Sequence, residues 1–166
     1  MGLSKKILNG RNYYILDNEG YYNGKIKILY DDSDKIRAEG QIEKGLKSGE
    51  WKHYYETGEI KEKGDKKEGI WQSYFKNGNI KIETSYYLDK QTNGIWKKFY
   101  ETGELMCECP VVDNKFFGDY KQYNKYNVLV YKCFMRDNMK NGDEIYYDKQ
   151  GKEIIKRQYV NNREIK

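Results

Sequence analysis

One short phrase repeats along the chain. It reads GEWKHYYETGEI at Gly49–Ile60, GIWQSYFKNGNI from Gly69 and GIWKKFYETGEL from Gly94. Weaker copies begin at Gly24, Gly118 and Gly142, and the successive intervals are 25, 20, 25, 24 and 24 residues. A fixed period in this range predicts a repeat architecture, in which each unit buries its apolar side chains only against its neighbours. Residues 24–166 are expected to form the array, with residues 1–23 a lead-in or a degenerate copy.

Each copy reads as a β-hairpin. In the Gly49 copy, Glu50–Tyr55 favours a strand, Glu56-Thr57-Gly58-Glu59 a turn, and Ile60–Lys63 a return strand. Gly58 supplies the positive φ such a turn needs, as do Gly78 and Gly103 in the sister turns. The opening glycines are expected where one hairpin passes to the next, relieving a second turn or letting backbones approach. Pro110 lacks a backbone donor and is expected at a strand end or a connection. Asp89-Lys90-Gln91-Thr92-Asn93 reads as added loop. The architecture is therefore all-β: an elongated antiparallel sheet of about six hairpins, single-layered or curled.

Side chains alternate across a strand, so residues two apart share a face. Trp51 and Tyr55 point one way, followed in later copies by Trp71 and Phe75, then Trp96 and Tyr100. Tyr54, Tyr74 and Phe99 point the other way. Stacked hairpins would set these rings side by side as an aromatic ladder. A thin sheet with aromatic residues on both faces leaves one face for a partner. The expected partner groove is Trp51, Tyr55, Trp71, Phe75, Trp96 and Tyr100, and the face of Tyr54, Tyr74 and Phe99 is the alternative.

Composition narrows the chemistry. A net charge of +5 comes from intermixed lysines and acids, which describes a solvated surface rather than a basic patch. Lysines interleave with rings at Trp96-Lys97-Lys98-Phe99-Tyr100, but repeat packing explains that spacing, so nucleic acid is not an expected partner. His53 is the only histidine, no Gly-Lys-Ser/Thr loop is present, and the acids fall at turn and surface spacing, so neither an enzyme nor a cofactor is expected. Cys107, Cys109 and Cys133 form no disulfide framework and no set of four zinc ligands, and read as reduced structural thiols. Gly2 suits myristoylation, but Lys6 stands where the pattern needs Ser or Thr. No apolar run amounts to a signal peptide or a membrane span. The chain as given is expected in the cytoplasm, and a trimmed export signal would leave no trace in it.

The pattern Gly-x-Trp-x-x-Tyr-Tyr-x-x-Gly-x-Ile resembles the MORN repeat in its bacterial variant, most closely over Gly49–Leu105 and more weakly from Gly24 to about Tyr159. The resemblance implies successive antiparallel hairpins and no catalytic motif. It also implies a non-catalytic protein-binding module, with an antitoxin or immunity protein that neutralises a toxin as the narrower reading. The rival it implies is a scaffold on anionic lipid at a membrane surface. Ile26 and Glu144, standing where the strong copies have tryptophan, depart from the pattern.

Overall fold

The computed structural model describes residues 3–8, 11–16, 20–31, 33–87, 90–91 and 93–165. Among them are strands and turns and no helix, arranged as consecutive antiparallel hairpins. The chain forms two compact units, residues 1–65 and 66–166.

The first unit holds two sheets. β1 (Leu3–Leu8), β2 (Arg11–Leu16) and β3 (Gly20–Tyr21) make one, and β4 (Gly24–Leu29), β5 (Ile36–Glu43), β6 (Leu46–Tyr54) and β7 (Ile60–Gly64) the other, each in chain order. The lead-in belongs to the core here: Tyr14 is buried with Ile26, Ala38, Ile42 and Trp51. Its amide donates to the carbonyl of Gly45 at 2.8 Å, which ties β2 to the turn between β5 and β6.

The second unit runs β8 (Glu68–Tyr74), β9 (Ile80–Tyr87), β11 (Gly94–Phe99), β12 (Leu105–Val112), β14 (Gly118–Tyr123), β15 (Leu129–Arg136), β16 (Met139–Tyr147), β17 (Glu153–Val160) and β18 (Arg163–Ile165). The two-residue strands β10 (Lys90–Gln91) and β13 (Lys115–Phe116) pair with β9 and β12. Lys90 and Gln91, expected in a loop, instead pair with Tyr87 and Tyr86. Asp89 and Thr92 lie outside the described residues.

Two kinds of turn alternate. In the predicted kind, the Tyr55 amide donates to the Glu59 carbonyl at 2.8 Å and the Gly58 amide to the Tyr55 carbonyl at 2.9 Å. The same pair of bonds recurs at Phe75/Gly78, Tyr100/Gly103, Asn124/Asn127 and Asp148/Gly151. This is the hairpin loop whose fourth residue must be left-handed, with asparagine standing in for glycine at Asn127. The second kind lies, in three of four cases, four or five residues before an opening glycine. Lys44-Gly45, Asp113-Asn114, Asp137-Asn138 and Asn161-Asn162 all have positive φ at both positions, the two-residue turn that matches strand twist.

The opening glycines therefore do not make the second turn. Gly49 and Gly142 lie inside β6 and β16, where the register slips against β5 and β15, so they mark bulges. Pro110 likewise lies inside β12, opposite Ile95. A strand residue directs its N–H and C=O to the same side, and the Pro110 carbonyl accepts from the Phe117 amide. The missing donor thus faces the break between β13 and β14, where the ladder is interrupted.

Asparagine locks successive two-residue turns together. The Asn138 amide donates to the Phe116 carbonyl at 3.3 Å, and its Oδ1 accepts from the Phe116 amide at 2.8 Å. Asn162 makes the same double contact with Lys140 at 3.0 and 2.7 Å. Asn138→Gly keeps the left-handed backbone and removes only the side-chain bond. It is expected to cost about 1 kcal/mol in thermal unfolding, whereas Asn138→Ala adds backbone strain and should cost about 2 kcal/mol.

Candidate functional site

The two faces of the sheet differ in chemistry. On one, large and small side chains alternate strand by strand. In the first unit Ile26 pairs with Gly40, and Trp51 with Gly64. In the second, Trp71 pairs with Thr84, Trp96 with Cys109, and Tyr120 with Cys133. Thr84, Cys109 and Cys133 are all buried. The small residues make room for the rings on the next strand, which is why the cysteines stand where they do. Burial pushes the Cys109 thiol up to about 12, so it is no nucleophile or ready metal ligand. Among the described residues no group of three or more His, Cys, Asp or Glu side chains is placed to hold a metal.

Of the six rings expected to form the partner groove, Trp51 lies on the packed face of the first unit, and Trp71 and Trp96 on that of the second. Trp51 is only 6% exposed, with the Lys47 ammonium 3.9 Å from its ring centre and His53 stacked on it at 6.4 Å. Trp71 carries Lys66 over its ring, and Trp96 meets Phe116 edge-on at 5.4 Å. Tyr55, Phe75 and Tyr100 begin the turns. Lys61 and Lys81 sit over the first two, and the Tyr100 hydroxyl donates to the Tyr123 carbonyl at 2.9 Å. Ring contacts lie further along the second unit, at Tyr120–Tyr131, 6.0 Å, and Tyr131–Tyr146, 4.9 Å.

Glu144 takes the large slot on β16 and is 1% exposed. Its Oε1 accepts from the Tyr131 hydroxyl at 2.8 Å and from Lys140 Nζ, and Arg157 lies 3.8 Å from Oε2. Burial alone would raise its pKa. The bonds from Lys140 and Tyr131 outweigh that and hold the carboxyl below its usual range.

The opposite face carries charge. In the second unit Gln72, Glu83, Lys97, Glu108, Lys121 and Lys132 stand in register on six neighbouring strands. Lys97 Nζ lies 3.3 Å from Glu83, Lys121 4.0 Å from Glu108, and Lys132 2.9 Å from Asp119. Tyr74 and Tyr123 join this face by donating to Gln72 at 2.7 Å and Glu108 at 3.0 Å. Two residues further along lie three cross-strand pairs, Ile70–Ser85, Ile95–Pro110 and Asp119–Phe134. Ile70 and Ile95 are 62% and 48% exposed, and Ile95, Pro110 and Phe134 line a groove with Glu108, Asp119 and Lys121.

Sequence reasoning missed both these pairs and the small series. A second set of periods carried the signal: Gly40, Gly64, Thr84, Cys109 and Cys133 advance by 24, 20, 25 and 24 residues.

Three copies of this hairpin, bulge and slot pattern match a known family. Residues 47–65, 67–87 and 92–113 match the MORN repeat variant. The match covers the strong copies and well under half of the chain. MORN repeats are in general binding modules, for protein or for membrane lipid, rather than catalysts. No curated protein matches this sequence. Among the described residues no helix is long and apolar enough to cross a membrane.

Proposed function

We propose that this MORN-variant chain is a non-catalytic protein-binding module that presents the charged face of its second unit. One observation carries the reading. On that face the lysines lie in cross-strand ion pairs, while Ile70 and Ile95 stand exposed beside them. Paired cations add little attraction for anionic headgroups, whereas exposed apolar side chains gain by being covered by protein. The six rings of the ladder face already pack within the chain, so their role in this reading is to hold the sheet. The narrower version, in which the partner is a toxin, draws its support from the family resemblance alone.

The reading predicts retention of an affinity-captured protein partner in high salt, and its loss with Ile70→Asp at unchanged melting temperature. Trp71→Ala should instead lower the melting temperature by about 10 °C, since truncating a half-buried aromatic that packs on its neighbours costs about 2 kcal/mol. Sedimentation with anionic vesicles at low salt, abolished by moderate salt and unaffected by Ile70→Asp, would establish the lipid reading in its place.

A further inference from the structure

We propose that the occupant of this face is a second copy of the chain, packed face to face about a twofold axis that runs parallel to the strands between β11 and β12. The inference rests on the protein-binding reading and names its partner.

The argument is one of register. A twofold axis parallel to the strands keeps position along each strand and reverses the order of strands. Placed between β11 and β12, it sets β11 over β12 of the other copy, β9 over β14, and β8 over β15. In the charged row Lys97 then meets Glu108, Glu83 meets Lys121, and Gln72 meets Lys132. These residues are in register within one sheet, so they are in register across the pair. Beside that row Ile95 meets Pro110, its register partner within the sheet. Every pairing joins opposite charge to opposite charge, apolar to apolar, or polar to polar. Each occurs twice, as an isologous interface requires.

Three other placements of the axis bring like charges together. Centred on β11, it sets Lys97 against its own copy and Glu83 against Glu108. Centred on β12, it sets Glu108 against itself and Lys97 against Lys121. Moved between β12 and β14, it sets Lys97 against Lys132. Like charges at close range select against these alignments. The matched one covers exposed Ile70 and Ile95 at the packing distance of about 10 Å between facing sheets.

Sedimentation equilibrium of the full chain should show a monomer–dimer equilibrium. Ile95→Asp should weaken the dimer by at least about tenfold with no change in melting temperature, because the side chain is half exposed in the single chain. Lys97→Glu should weaken it as well, and adding Glu108→Lys should restore it in part, since the exchange re-forms the pairing between copies but sets like charges beside Glu83 and Lys121 within each chain. A wild-type chain that stays at monomer mass up to its solubility limit overturns the proposal, as does a dimer indifferent to Ile95→Asp. A photo-crosslinking residue in place of Ile95, used in the producing cell, separates this inference from the reading beneath it. An adduct of twice the chain mass, linked to a peptide containing Pro110, supports the dimer. An adduct with a different protein overturns the dimer and leaves the protein-binding reading standing. No adduct with any protein removes both.

Discussion

Replacing Gly40 by alanine is expected to destabilise the first unit more than any other single methyl group would. A Cβ at Gly40 would lie 2.4 Å from Trp51 Cδ2 and 2.5 Å from Cε2. The ring cannot retreat, being 6% exposed with Ile26, Ala38, Ile42 and Tyr14 around it. Overpacking of this kind typically costs 1–3 kcal/mol, and here about 2 kcal/mol should remain after the entropy that alanine removes from the unfolded chain. The melting midpoint of this unit should fall by about 10 °C. Gly40→Ala combined with Trp51→Leu makes the check specific. The smaller residue relieves the clash and also removes the indole N–H, which is buried without an acceptor. The two substitutions together should then cost clearly less than the sum of the singles. Strict additivity would show that Gly40 serves something other than the ring.

Removing the cation beside Glu144 should produce the second large effect. Lys140→Met leaves a carboxylate that is 1% exposed facing Tyr131 and Tyr159, with Arg157 at 3.8 Å as the remaining cation. Stranding a fully buried charge costs 3–5 kcal/mol. Because Lys140 is itself 35% exposed, the expected loss at neutral pH is about 2 kcal/mol. In a Glu144→Gln background the same change should cost under about 1 kcal/mol, since no charge is left stranded. The pH dependence has a fixed sign. The folded carboxyl titrates below its unfolded value of about 4.3, so the stabilisation is fully present above that pH and is lost as pH falls through the lower folded value. Acid unfolding of the second unit should therefore be shallower in Glu144→Gln than in the wild type. Identical acid transitions would remove Glu144 from any role in pH stability.

Both effects come from the same slot, filled once by an indole and once by a carboxylate. Its spacing is legible along the chain because a hairpin repeat returns each side chain to the same face at each period. The turns after Tyr55, Phe75 and Tyr100 were legible for a similar reason: local backbone geometry demands glycine there. The two-residue turns were less visible. Their left-handed positions are filled by Lys44, Asp113 and Asn114 as well as glycine, residues that occur everywhere on a charged surface.

By itself, then, the sequence determined the period, the hairpins and the alternation of faces, because these depend on bonds and rotations within a few residues. The tertiary structure alone decided which face is packed. How Trp71 and Trp96 pack depends on what the neighbouring strand sets beside them. The answer, Thr84 and Cys109, is a cross-strand relation that no local pattern specifies. Exposure of Ile70 and Ile95 follows from the same cause: which face of a strand is covered is settled only when the sheet assembles.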